Sequence, residues 1–219
     1  MRGTTVRVLF VADGDAPERF TDFFADDRVI LPAVVSSTAD AVTQVVESDI
    51  DCVVSGPLRT DSGPSVLAAV RDVRERVATV LFTTGLADEL ADGVADTVLQ
   101  YVPDEPDLDR LRDAIRAVTG VAEIDRDGGA GWRFLGRFRW AETDSVGTTV
   151  VTAVAEALGR DGLGIAPLYD SVAPDALDRI VRGAVDREAT ADLVVRFVLD
   201  EYVVSVSAAG PVWYRPDKQ

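Results

Sequence analysis

Residues Asp51–Leu67 read DCVVSGPLRTDSGPSVL: a short apolar strand, a loop, then a helix with Pro64 in its first turn. Val66, Leu67, Val70 and Val73 recur on one face of that helix, the spacing of a segment packed against a larger surface. The strand is apolar without alternation, as a strand buried on both faces must be. A parallel sheet covered on both sides is the expectation, and the small Gly56 at the strand's end is its unusual feature.

The same grammar extends in both directions. VRVLFVA, VILPAVV, IDCVVS, ATVLFTT and DTVLQYV are the strand-like runs. APERFTDFFADD, TADAVTQVVES, GPSVLAAVRDVRERV, LADELADGV and DLDRLRDAIRAVTG are the helical ones. Five strand–helix units of this kind predict an α/β, doubly wound, five-stranded parallel sheet over residues 1–119. Gly120 and the following EIDRDGGAG break the periodicity, so 120–131 reads as a linker. From 132 to 219 the order changes. A strand-like WRFLGRFRW precedes two helices, DSVGTTVVTAVAEALG and APDALDRIVRG, and DLVVRFVLD, EYVVSVS and PVWYR close the chain as strands. That half reads as a small α+β domain with an antiparallel sheet.

Composition narrows the function. Of 219 residues, 38 are acids and 22 are bases; the net charge is −16, and Lys218 is the only lysine. An acidic surface repels nucleic-acid phosphates and anionic lipid, and a large charge of one sign suits a salt-rich cytoplasm. At molar salt the Debye length falls to about 3 Å and the self-repulsion is screened. An ordinary acidic soluble protein is the plainer alternative. Without histidine there is no imidazole base or ligand, and the single Cys52 forms no internal disulfide and reads as a small core residue. The opening residues do not form a signal peptide and no run of 18 apolar residues occurs, so the expectation is a cytoplasmic protein outside the membrane. P-loop, GxGxxG and metal-cluster patterns are also missing, so neither an enzyme, a cofactor nor a metal is expected.

In an open parallel sheet, ligands bind beyond the carboxyl ends of the strands, here Ala12–Asp15, Ser55–Gly56, Thr83–Thr84 and Gln100–Tyr101. The order of elements, with SDIDCVVS, VLFTT and VLQYV as third, fourth and fifth strands, resembles the receiver domain of two-component signalling, a flavodoxin-like fold. The resemblance implies an acidic pair, an acceptor aspartate, a hydroxyl and a lysine, which together hold magnesium and a phosphoryl group. Laid on this chain, those positions fall at Ala12 and Asp13, Gly56, Thr83 and Tyr101. Asp13 and Thr83 match; Ala12, Gly56 and Tyr101 depart. Asp15 and Asp61 lie near in sequence without occupying the acceptor position. The expectation is a receiver-like domain without a phosphoacceptor.

Residues of about Trp140 to Tyr214, PLYDSVAPDAL above all, resemble the halobacterial output domain, which implies signalling output by binding. Pro167 sets an extended entry to that segment and Pro174 starts the next helix. Core packing of Tyr169 is favoured over a binding role. On a regular strand, Trp132, Phe134, Phe138 and Trp140 share one face and Arg133, Leu135, Arg137 and Arg139 the other, with Gly136 a bulge candidate. Arginine among aromatics also suits single-stranded nucleic acid, but arginines meeting the surrounding acids is the favoured reading. The candidate interaction residues are Arg133, Arg137, Arg139 and Tyr169. The leading expectation is a non-enzymatic signalling protein that binds an unknown protein partner, with a homodimer left open. The alternative is a DNA-associated transcriptional regulator using the Arg133–Arg139 strand.

Overall fold

β1 (Val6–Val11), β2 (Ile30–Val35), β3 (Cys52–Ser55), β4 (Ala78–Thr83) and β5 (Thr97–Gln100) form one parallel sheet in the order β2-β1-β3-β4-β5. The computed structural model describes residues 4–56, 63–83, 95–100, 106–126, 131–160, 167–187 and 193–217. The chain divides into two units, Gly3–Gly128 and Gly129–Gln219. In the first, α1 (Ala16–Phe24), α2 (Thr38–Glu47), α3 (Gly63–Val73) and α4 (Leu108–Thr119) alternate with the strands. The helix expected over LADELADGV lies outside the described residues, as do Asp61, Thr84, Tyr101 and Lys218.

The sheet is buried because successive side chains of one strand go to opposite faces and both faces are covered. Phe10 stacks on Phe20 and Phe24 of α1, with ring centroids 4.8 and 5.2 Å away. Leu9 and Val11 pack instead with Ala41 and Val45 of α2 and Val66, Leu67 and Val70 of α3. Each such buried apolar side chain stabilises the fold by about 1.5–3 kcal/mol relative to exposure. Cys52 is buried in β3, as a small core residue should be.

Polar groups tie the element ends. Arg71 of α3 donates to Thr79 Oγ1 (2.7 Å) and to Asp96 Oδ1 (2.9 Å), while Asp96 Oδ2 accepts from the Thr79 N–H at 2.8 Å. The amino ends of β4 and β5 are thereby tied to α3. Asp107 caps α4 by accepting from the Arg110 N–H at 2.9 Å. A short helix, α5 (Val121–Arg126), then occupies much of the segment expected as a linker. Its Val121 and Ile124 are buried, so this stretch is packed structure and not free spacer.

The second unit holds β6 (Arg133–Arg137), α6 (Val146–Ala157), a 3-10 turn (Leu168–Asp170), α7 (Pro174–Val185), β7 (Val194–Leu199), β8 (Tyr202–Ser207) and β9 (Pro211–Pro216). Its antiparallel sheet runs β6-β9-β8-β7. Val146, Val150 and Val154 of α6 and Leu177 and Val181 of α7 share a core with Phe197, Leu199, Val204, Val206, Val212 and Tyr214. Two devices seat α6. Asp178 Oδ1 accepts from the Val146 N–H at 2.6 Å and the Gly147 N–H at 3.4 Å, capping the helix from α7. Gly147 also lets Leu168 and Pro174 come close, since a Cβ there would lie 2.9 Å from Leu168 Cδ2.

The two-faced reading of residues 132–140 is corrected. The β6–β9 register shifts between Phe134 and Gly136, so Leu135 is the extra residue of a bulge, and the strand ends at Arg137. Leu135, Phe138 and Trp140 join the helix-covered core. Phe134 instead meets Trp213, which alternates with core-facing Val212 and Tyr214 and so lies on the opposite face. One inserted residue exchanges the faces, because the side-chain period of a strand is two.

Candidate functional site: the carboxyl edge of the parallel sheet and the second unit

The ends of β1, β3 and β4 are neighbours by register, with Val11 opposite Ser55 and Ser55 opposite Leu81. Ala12 is buried at the end of β1 and its N–H donates to the Val35 carbonyl at 3.0 Å. Asp13 is half-buried and Asp15 is exposed at the start of α1. Thr83 closes β4 opposite Gln100.

Gly56 has a geometry that composition does not announce. Its N–H donates to the Val11 carbonyl at 2.9 Å, extending the β1–β3 ladder by one residue. Its φ is 139°, a region that L side chains rarely adopt. A Cβ there would lie 1.7 Å from the Phe82 carbonyl oxygen and 2.8 Å from the Phe82 carbonyl carbon. The obstacle is backbone of β4, which no rotamer change can move aside. The position is closed to any side chain, carboxylate or other, while β3 keeps this path.

Sequence reasoning passed over two polar residues of β3's neighbourhood. Ser55 is fully buried and its Oγ has no hydrogen-bond partner among the described residues; the signal was a hydroxyl at the last position of an otherwise apolar strand. Asp51, before the strand, accepts from the Arg7 N–H at 2.7 Å. Burial pushes its carboxyl from 3.8 up to about 6, against the Arg7 N–H and the Arg7 and Arg74 charges, with Asp49 adding to the rise. Asp51 stands at the amino end of β3, opposite the edge that Gly56 occupies.

In the second unit, Arg133 and Arg139 are exposed and Arg137 is half-buried. Arg133 lies opposite Tyr214 and Arg137 opposite Pro211, while Arg139 lies 3.7 Å from Glu142. That contact is an exposed pair of small energetic weight. Trp132 is engaged by the protein's own cations, with Arg215 4.9 Å and Arg196 5.8 Å from its ring. Together with the Phe134–Trp213 contact, this uses the aromatics that a nucleic-acid platform would present.

Tyr169 corrects the expectation of core packing. Leu168 beside it is buried, and the turn is held by Asp170 N–H to the Pro167 carbonyl (3.1 Å) and Val172 N–H to the Leu168 carbonyl (2.9 Å). Tyr169 itself is 72% exposed. Leu168 took the inward direction, and a tight turn cannot send both neighbours into one core.

Residues 142–216 match the family model for halobacterial output domain 1. The match covers α6, the 3-10 turn, α7 and β7 to β9. Solved structures resemble the first unit. Response regulator TrrA of Thermotoga maritima, in complex with Mg2+ and BeF, is 15% identical over 52% of this chain and 99% of its own, with a TM-score of 0.44. Chemotaxis response regulator CheY4 of Vibrio cholerae is 18% identical over 52% and 99%, TM-score 0.44. A response regulator receiver protein of Sinorhizobium medicae is 22% identical over 55% and 95%, TM-score 0.42. Comparison with curated proteins returned no match. The strand order β2-β1-β3-β4-β5 is by itself that of the flavodoxin-like doubly wound sheet. Among the described residues no helix is long and apolar enough to cross a membrane.

Proposed function

We propose that this chain is a non-enzymatic signal-transduction protein of a salt-rich cytoplasm, in which a receiver-like scaffold that takes no phosphoryl group is coupled to an output unit that binds a protein partner. The single observation that carries the reading is Gly56, where the Phe82 carbonyl occupies the space an acceptor side chain needs. Ala12 in place of an acid and Tyr101 in place of the lysine support it, and Asp13 and Thr83 remain as residues of the pattern. The functional division follows 1–119, a joint within 120–131 and 132–219, with α5 belonging to the packed side of that joint.

Tyr169 is the best-placed contact for the partner. It is an exposed aromatic on a hydrogen-bonded turn, the residue type enriched at binding hot spots. Arg133, Arg137 and Arg139 are secondary contacts.

Incubation of the full chain with a small phosphodonor and magnesium is expected to leave no acid-stable, base-labile phosphoprotein, under conditions that label an active receiver run in parallel. Labelling of the unmodified chain would refute the scaffold reading. For the output unit, a partner recovered in high salt with the wild type is expected to be lost with Tyr169→Ala while the fold survives; equal recovery would remove Tyr169 from the interface.

A further inference from the structure

The sheet of the second unit has a face turned away from its helical core, and the register fixes what stands on it. Trp213 of β9 lies opposite Phe134 of β6 and Ser205 of β8, and Ser205 lies opposite Arg196 of β7. Arg215 alternates with core-facing Tyr214 and so shares this face. Trp132 is its cross-strand neighbour, one step beyond the Arg133–Tyr214 pair.

This cluster holds donors that lack acceptors. The indole N–H of Trp140 donates to the Ser207 carbonyl at 2.8 Å, whereas that of Trp132, a residue only 5% exposed, has no partner among the described residues. Arg215 is half-buried, with its guanidinium carbon 4.9 Å from the centre of the Trp132 ring. Its Nε is buried without a partner, and no carboxylate among the described residues pairs with it. Arg196 adds a second positive charge 5.8 Å from the same ring; its own bonds, one of them from Nε to Ser205 Oγ at 3.3 Å, hold it in place. A buried N–H left unpaired is costly, and an arginine without an acid is unexpected in a chain with 38 acids against 22 bases.

We propose that Trp132 and Arg215 form a carboxylate-binding site on this face, and that its occupant is an acidic peptide segment of the protein partner. An ionised carboxylate only accepts hydrogen bonds and matches the planar guanidinium, so it supplies the acceptors that both groups lack. The contact with the Trp132 ring holds the Arg215 guanidinium before a ligand arrives, which lowers the ordering cost of binding. Single-stranded nucleic acid fits this face worse. Base stacking needs open ring faces, and Trp132 and Trp213 are 5% and 2% exposed. The net charge of −16 also repels phosphates. The site rests on the protein-binding reading of this unit and adds the chemistry of the partner. Its test needs no partner, so a failure here leaves that reading to the Tyr169→Ala recovery experiment.

Titration of the isotopically labelled full chain with an end-blocked hexaglutamate peptide, in molar potassium chloride, tests the site through its indole N–H resonances. The Trp132 resonance, assigned with Trp132→Phe, is expected to move saturably while that of Trp140 stays in place. Arg215→Gln removes the charge, and Arg215→Lys keeps the charge but lacks the planar fork; each should weaken binding by about tenfold or more with circular dichroism unchanged. Should the glutamine variant fail to fold, the lysine variant decides. A Trp132 resonance that does not move up to the solubility limit of the peptide overturns the proposal, as does unchanged affinity in the folded variants. Saturable binding of an oligothymidylate with equal or greater affinity overturns it in favour of nucleic acid.

Discussion

At residue 56 the difference between glycine and any other amino acid is a contact of 1.7 Å with a backbone oxygen. Gly56→Ala must either push β4 away from β3 or abandon the bond to Val11, at a φ of 139° that already disfavours a side chain. We expect a loss of about 3 kcal/mol or more in chemical denaturation, from overpacking and backbone strain together. Gly56→Asp should do no better and should not by itself restore phosphorylation, since its Cβ meets the same carbonyl. Asp51 gives a second residue-scale expectation. Its carboxyl is raised by burial to about 6, so the folded state binds a proton that the unfolded chain has released between the two values. Its contribution to stability is present below 3.8 and is lost as pH rises through about 6. Denaturation midpoints of Asp51→Asn, compared with the wild type, should therefore show the variant gaining relative stability from pH 4 to pH 6, with no further change above pH 7. A difference constant over that range would mean that Asp51 does not titrate there.

At the scale of elements, the output unit depends on caps and turns more than on helix propensity. α6 begins VGTTVV, rich in β-branched residues that favour strands, and it is helical because Ser145 accepts from the Thr148 N–H while Asp178 caps from α7. Asp178→Ala should cost about 1–2 kcal/mol and detach the start of α6 from α7, readable as faster amide exchange at Val146 and Gly147. Unchanged protection there would assign α6 to the core contacts alone. The 3-10 turn works in the same way: burying Leu168 holds Tyr169 outward on a short hydrogen-bonded frame.

For the whole molecule, charge governs how the fold responds to its solvent. A net charge of −16 on 219 residues, with 38 acids, produces repulsion that the packed cores must overcome in dilute buffer. The thermal midpoint should rise between dilute buffer and molar potassium chloride; an unchanged midpoint would refute adaptation to a salt-rich cytoplasm. The sequence by itself determined the strand–helix alternation of the first half, because burial on both faces demands unbroken apolar runs and a helix demands its 3.6-residue repeat, both legible within about ten residues. It also gives the identities of Gly56, Ala12 and Tyr101, on which the proposed lack of a phosphoacceptor rests, since identity needs no coordinates. Tertiary structure alone decided that the Phe82 carbonyl closes position 56, that one extra residue at Leu135 exchanges the faces of Trp132–Trp140, that Tyr169 turns outward, and that helix α5 forms over Val121–Arg126 within the expected linker. Each of these depends on which neighbour a segment meets across the fold, and that is set by contacts between residues far apart in the chain, which no local period records.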